Sequence, residues 1–350
     1  MVSRSSAFRQ RGGDTVHMEQ LARALQKLGH EVHLPNQYKR KRDYYDIVHY
    51  FNLDRLPVSH PRPRKQRRAK HICSSIYIEY PERLLRQPVL KALHQVAGKH
   101  GFQYFKTIGQ VIKGQEKAPR ISYWLRGQSG TLGFFLNRLD GLIFASHAEA
   151  TLLHNQFDFV NRERVIHLGY EHLPIAPDEG VREGVFCAAR FEPLKNQLAL
   201  IEACRKLQVP LRLAGKPSRN HQNYFETCKQ RAEDCPVEFL GELSPDELAR
   251  EYARCKVHAL PSYFETTGLS TVEALASGAQ AVTGDHPIQK ELFGGHSHCA
   301  RPDDVDSLCK ALEAAFADGR DHRHWVKRKF SWQVAAERTE DFYHQLILDL

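Results

Sequence analysis

The chain has 350 residues, 41% of them hydrophobic and 26% charged, with a formal charge of +9. It is too long for one ordinary core and too apolar for disorder, and it has no run near the ~20 apolar residues that span a bilayer, so two soluble domains are expected. Eight scattered cysteines without a C-x-x-C pair exclude a disulfide framework and read as reduced thiols of a cytoplasmic protein.

In chain order, Met1-Val2-Ser3 opens without the apolar core of a secretory signal and reads as a shortened first strand. Arg11-Gly12-Gly13-Asp14-Thr15 is a glycine pair that serves a turn as readily as a phosphate cradle. The spacing of Leu21, Ala24, Leu25 and Leu28 predicts a helix over 15–28, ended by Gly29. Strands are expected at 31–34, 46–50, 71–74, 141–145 and 164–167, and 172–184 is the candidate linker. A second series of strands follows at 185–188, 211–214, 237–240, 257–260 and 279–282. Helical patterns lie between and after them, at 196–207, 219–233, 245–254, 268–277 and 304–317. Strand–helix alternation of this kind predicts an α/β fold with parallel sheets, in two doubly wound, Rossmann-like domains facing a cleft.

The charge is uneven. Through residue 175 there are 28 Lys and Arg against 14 Asp and Glu; the remainder holds 22 against 27. Much of the excess lies in Lys39–Arg42 and Arg62–Lys70. A face of that sign suits an anionic membrane surface, nucleic acid or a phosphate-bearing acceptor, and equally a solvated surface without a partner.

The segment Leu260 to Gly278 carries the most chemistry. A strand ends near Leu260, a loop holds Glu265, and Gly268 opens a helix closed by Gly278. The backbone N–H groups of Gly268, Leu269 and Ser270 would offer a phosphate site at the helix start. Glu265 in the loop and Glu273 in the first helical turn could address hydroxyls on either side of a bound diphosphate. Ser270-x-x-Glu273 is also a capping box, in which Glu273 only ties off the helix. Both readings stand on spacing alone.

This segment resembles the E-x7-E motif of glycosyltransferase family 4 and its GT-B relatives, with Gly268-Leu269 and Glu273-Ala274-Leu275-Ala276-Ser277-Gly278 in place. Upstream, Arg190-Phe191-Glu192-Pro193-Leu194-Lys195 resembles the family's strand–loop segment, whose two cations hold the donor diphosphate. Gly215, Leu240 and Gly241 match the strand ends near the nucleotide base, and Phe330-Ser331-Trp332 with Tyr343 resembles the terminal helix that crosses back onto the first domain. The resemblance implies a GT-B architecture: an acceptor-binding domain over 1–175, a nucleotide-sugar domain over 176–330 and a returning helix over 331–350.

It also implies a retaining hexosyltransferase of cell-surface polysaccharide or lipopolysaccharide synthesis. Its partners would be a UDP- or GDP-linked sugar and a glycan or lipid-linked acceptor, at the inner membrane face. Glu265, Arg190 and Lys195 would be catalytic. Gly12, Gly13, Gly215, Leu240, Gly241, Thr267, Gly268, Leu269, Ser270 and Glu273 would join them around the donor. No Asp-x-Asp motif is present before the donor segment, in keeping with chemistry that needs neither metal nor cofactor. His296-Ser297-His298-Cys299 lacks a second ligand pair at zinc spacing.

The first half departs from the family where many relatives place a histidine against the donor sugar. Here the strand end reads Ile72-Cys73-Ser74-Ser75-Ile76-Tyr77, so Ser74, Ser75 or Tyr77 would line the site instead. His49 and His147 are further candidates, each equally a packed, hydrogen-bonded residue. A sugar-nucleotide 2-epimerase of the same fold is the nearest alternative, and it would need acid/base carboxylates that the first half does not display. A nucleic-acid binder would explain the basic half, but no aromatic reading platform accompanies the charge, so no nucleic acid is expected.

Overall fold

The computed structural model describes residues 1–3, 8, 12–35, 45–55, 69–77, 101, 104–105, 108–109, 121–170, 180–218 and 221–348. Arg11, the basic runs at 39–42 and 62–68, and 172–179 of the candidate linker lie outside them. The chain divides into two compact units: unit 1 is Met1–Leu168 with Trp332–Leu350, and unit 2 is Gly169–Ser331.

Unit 1 holds a parallel sheet in the order β1 (Ile47–Phe51), β2 (Lys70–Ser74), β3 (Gly141–Phe144), β4 (Arg162–Val165). Helix α1 (Gly13–Lys27) buries Met18, Leu21 and Leu25 and ends at Gly29, whose φ of 98° suits glycine. His30 N–H donates to Leu25 O and Gly29 N–H to Gln26 O, the bonds of a Schellman stop. Helix α2 (Ile121–Leu136) kinks at Gly127, and α3 (His147–His154) is capped by Ser146, which accepts from Glu149 N–H.

The last helix of the chain, α11 (Trp332–Leu348), completes the core of unit 1. Its Ala335, Ala336, Phe342 and Leu346 pack with Met18, Leu21, Phe51 and Ile72. A Cβ at Gly141 would come within 2.8 Å of Phe342 Cζ, so glycine lets this helix lie directly on β3.

The expected strand at 31–34 is not formed. A strand needs a ladder, and its neighbour is reduced to one parallel bridge, Val2 to Tyr50. What remains is the Met1 ammonium donating to His33 O at 2.7 Å. The strand expected at 164–167 sits two residues earlier, because Gly141 to Phe144 pair with Arg162 to Val165.

Unit 2 contains a six-stranded parallel sheet, order β10-β9-β8-β5-β6-β7. Its strands are β5 (Glu183–Ala188), β6 (Leu211–Ala214), β7 (Val237–Gly241), β8 (Cys255–Leu260), β9 (Gln280–Gly284) and β10 (His298–Ala300). Val185, Phe186 and Cys187 in β5 and Val257 to Leu260 in β8 are all buried, as central strands covered on both faces must be. The helices are α4 (Gln197–Leu207), α5 (Gln222–Arg231), α6 (Pro245–Arg254), α7 (Leu269–Ala276), α8 (Pro287–Phe293), α9 (Val305–Ala317) and α10 (Arg323–Lys329). The chain runs outward from β5 through β6 to β7, then returns to the other side of β5 as β8. The β5/β8 pair is therefore the topological switch point, where doubly wound sheets bind ligands at strand carboxyl ends.

Candidate active site

Both motif segments emerge at that switch point. After β5 the chain passes Arg190 and closes a 3-10 turn, Pro193–Lys195, followed by Asn196 in the left-handed region at φ 59°. Asn196 Nδ2 donates to Pro302 O at 2.8 Å and Pro261 O at 3.3 Å, and Gln197 Nε2 donates to Arg190 O at 2.9 Å. After β8, Tyr263 N–H donates to Leu194 O at 2.9 Å, joining the two loops through their backbones.

These bonds bring Lys195 and Glu265 together: Nζ lies 2.5 Å from Oε1, with side-chain exposures of 15% and 11%. Ser262 Oγ donates to the same Oε1 at 2.9 Å. Arg190 stays 65% exposed, its guanidinium 3.5 Å from Glu192 Oε1. A sheltered ion pair thus stands beside a solvent-facing guanidinium, a set that can meet phosphate with cations and sugar hydroxyls with a carboxylate.

Two glycines make the close approaches this requires. A Cβ at Gly284, ending β9, would lie 2.0 Å from Ser262 O, and one at Gly215, after β6, 2.1 Å from Ala189 O. Gly215 N–H donates to Gly241 O at 2.6 Å, so the ends of β6 and β7 meet, with Leu240 half-buried and Gly241 exposed beside them.

Gly268 caps α7 at φ 72°, and Leu269 and Ser270 supply the first N–H groups of the helix. The capping-box reading of Ser270-x-x-Glu273 is overturned. The cap is Gly268 without a side-chain bond, which puts Ser270 second in the helix and Glu273 beyond its first turn. Glu273 Oε2 accepts instead from the Tyr252 hydroxyl at 3.1 Å. Thr267 is buried at the loop end.

In unit 1, Gly12 caps α1 in extended conformation and Gly13 begins it, exposed. The buried Asp14 accepts from Thr15 N–H at 2.9 Å and from Asn52 Nδ2 at 3.3 Å. Ser74, Ser75 and Tyr77 do not line a surface. All three are buried: Ser74 Oγ meets His49 Nε2 at 2.9 Å, and Ser75 Oγ and Tyr77 N–H donate to Glu149 Oε1 at 2.6 and 2.7 Å. Glu149 Oε2 accepts from Ala145 N–H at 2.8 Å, and burial holds this carboxyl above its usual range. The clamp fixes Ile76 at φ 44°, a costly conformation for a β-branched residue.

His49 Nδ1 shares a 2.6 Å hydrogen bond with Tyr343 Oη, and burial pushes its pKa well down, so it is a packed core histidine. His147 is exposed at the start of α3. His296 pairs with His322 at 3.0 Å and His298 with Asp318 at 3.1 Å, and no group of three potential metal ligands occurs among the described residues. All eight cysteines are free thiols.

Sequence reasoning missed Ser262, Asn196, Tyr252 and Gly284. Only Asn196 left a local signal, an asparagine directly after the motif lysine, a residue type that tolerates the left-handed region.

An MMP alpha-(1->4)-mannosyltransferase of Mycolicibacterium hassiacum is 31% identical over 199 residues, 52% of this chain and 48% of that one, so the chain matches about half of that relative's length. A sucrose-phosphate synthase of Thermosynechococcus elongatus aligns over 97% of this chain and 94% of its own, at 17% identity and TM-score 0.68. Anabaena HepE in complex with UDP and glucose covers 95% and 96%, at 16% identity and TM-score 0.59. The structural likenesses show the fold, which is GT-B with two Rossmann-like units. Residues 176–332, unit 2 almost entire, match the family model of glycosyl transferases group 1.

Proposed function

We propose that the chain is a retaining, metal-independent glycosyltransferase. It would move a hexose-type sugar from a nucleoside-diphosphate donor to a hydroxyl of a glycan or lipid-linked acceptor. The observation that carries the reading is the meeting of Lys195 and Glu265 at the β5/β8 switch point, beside the amino end of α7. The match of the same residues to the glycosyl transferases group 1 model supports it, as does the fold shared with a protein holding UDP and glucose.

The reaction breaks the bond between the anomeric carbon and the β-phosphate oxygen and forms one from that carbon to the acceptor oxygen. Negative charge grows on the leaving diphosphate. Arg190, Lys195 and the first amides of α7 stabilise it, a preorganised electrostatic contribution of the kind that usually dominates catalysis. Glu265, freed as Lys195 turns to phosphate, orients sugar hydroxyls and favours the oxocarbenium-like carbon. The acceptor hydroxyl enters on the face the leaving group vacates, and its proton passes to a phosphate oxygen. Unit 2 takes the donor; the acceptor is assigned to unit 1, whose basic sequence suits an anionic inner membrane face in surface-polysaccharide synthesis.

The test is thermal stabilisation by UDP, GDP, ADP, CDP and dTDP, each with EDTA and with added magnesium. A ligand at 100 times its Kd adds about 2.7 kcal/mol. One responder in EDTA, lost in Arg190→Ala, supports the reading, and silence from all five sinks it.

A further inference from the structure

A cavity of about 350 Å³ opens at the amino ends of β5, β6 and β7, the end of the unit 2 sheet opposite Lys195 and Glu265. That volume is at the small end of ligand-sized cavities. Its lining carries charge of both signs, Arg212 and Arg254 against Glu183 and Glu238. Arg212 is 5% exposed; its Nε donates to Glu251 Oε2 at 2.6 Å, while its Nη2 is buried without an acceptor. A buried cationic donor left open is costly, so beside a cavity it points to an anionic oxygen from outside the chain. Arg254 is half-exposed and 3.7 Å from Glu251 Oε1. Glu183 and Glu238 are exposed and enter no ion pair among the described residues. Cations and carboxylates facing one space suit a zwitterion.

Cys235 belongs to the same lining and is half-buried. Arg205 Nε donates to its Sγ at 2.8 Å, and that guanidinium is held in place by Glu202 Oε2 at 2.7 Å and by Arg231 O. A thiol reacts as its thiolate, and a cation held against the sulfur offsets that charge as it forms. The other cysteines lack this setting. Cys73, Cys187, Cys204, Cys228 and Cys255 are buried. Cys299 Sγ meets Thr283 Oγ1 at 3.7 Å and Cys309 Sγ donates to Ala203 O at 3.8 Å; among the described residues no guanidinium donates to either sulfur.

We propose that Cys235 is a site of reversible mixed-disulfide formation with a small zwitterionic thiol that bears carboxylates, of the glutathione class. The Cys235 thiolate attacks one sulfur of the small disulfide, which is the oxidant. The new S–S bond forms as the old one breaks, and the departing thiolate takes up the proton that Cys235 gave to solvent. The attached group occupies the cavity, its carboxylates toward Arg212 and Arg254 and its ammonium toward Glu183 or Glu238. The proposal is independent of the donor reading, since the cavity lies at the other end of the sheet from the motif loops.

The test exposes the reduced full chain to glutathione disulfide and, separately, to cystamine, a disulfide with ammonium groups and no carboxylate. Peptide mass mapping follows each cysteine, and each rate is divided by that of the same cysteine in the urea-unfolded chain. Cys235 should take up glutathione about tenfold faster than Cys299 or Cys309. On the same scale glutathione disulfide should lead cystamine at Cys235 by about tenfold, a lead that Arg254→Gln reduces. Arg205→Gln should slow both reagents at Cys235 by about tenfold. Labelling of Cys299 or Cys309 as fast as Cys235 overturns the proposal. Cystamine reacting as fast as glutathione disulfide overturns it too, by marking Cys235 as merely accessible. Both comparisons use the wild-type chain, so they decide the matter even where Arg205→Gln does not fold. A folded Arg205→Gln that reacts at the wild-type rate has the same overturning effect.

Discussion

Lys195 and Glu265 are 70 residues apart in the chain and 2.5 Å apart in space, joined across the two central strands of unit 2. Removing one partner of a sheltered ion pair strands the other charge, at a cost of about 3–5 kcal/mol. Lys195→Met should lose that order of stability in urea unfolding, because Glu265 would keep Ser262 but no cation. Lys195→Met combined with Glu265→Leu should recover most of it. A double variant no more stable than the single one would show that the pair is not the unit of stability.

Turnover should separate Arg190 from that pair. Arg190 is exposed and makes one long ion contact, so Arg190→Ala should leave Tm nearly unchanged. Loss of a transition-state donor should nonetheless cost about 10²–10³ in kcat. Steady-state kinetics with the responding nucleotide sugar checks this, and near-normal kcat would remove Arg190 from the chemistry.

Acid should weaken both units through buried histidines. Burial pushes His17 in unit 1 and His258 in unit 2 down to about 3, below the ordinary 6.5. A depressed histidine is neutral in the folded chain and charged in the unfolded one between those values. Its stabilising contribution is therefore full above pH 6.5 and lost as pH falls toward 3, by about 1.4 kcal/mol per pH unit for each ring. Urea midpoints from pH 7.5 to 4.5 should fall, and His258→Phe should flatten the slope for unit 2.

Glycine at 284 is a steric requirement. A methyl group placed 2.0 Å from Ser262 O must displace the loop that carries Glu265. Gly284→Ala should lower Tm and abolish nucleotide-induced stabilisation together, whereas Gly295→Ala, where a Cβ meets nothing, should change neither.

Tyr343→Phe tests how the last helix is held. The change leaves buried His49 Nδ1 without its 2.6 Å partner, which should cost about 1–3 kcal/mol. Chemical denaturation measures it, and a cost near zero would show that packing alone holds α11.

The longer strands and helices of unit 2 were legible because each carries its own period: α9 runs from Val305 to Ala317 where the pattern read 304–317, whereas α8, β10 and α10, of three to seven residues, are too short to show one. Motif spacing located Arg190, Lys195 and Glu265 but not the ion pair, since side-chain pairing depends on the register between β5 and β8. The strand at 31–34 failed for the converse reason: its residues suit a strand, yet pairing is decided by a neighbour that supplies one bridge. Ser270 and Glu273 had the spacing of a capping box, and Gly268 took the cap position because its left-handed backbone begins the helix two residues sooner.

The returning helix α11 has a consequence for synthesis. Most of unit 1 is encoded ahead of unit 2, yet Phe342 and Leu346, which close its core, are encoded after it. On the ribosome, unit 2 is therefore the first continuous stretch able to complete its own core, while the earlier half waits with an open apolar face. A chain that stops at Ser331 would free a finished unit 2 attached to an unfinished unit 1, and quality control would meet it as a half-folded substrate.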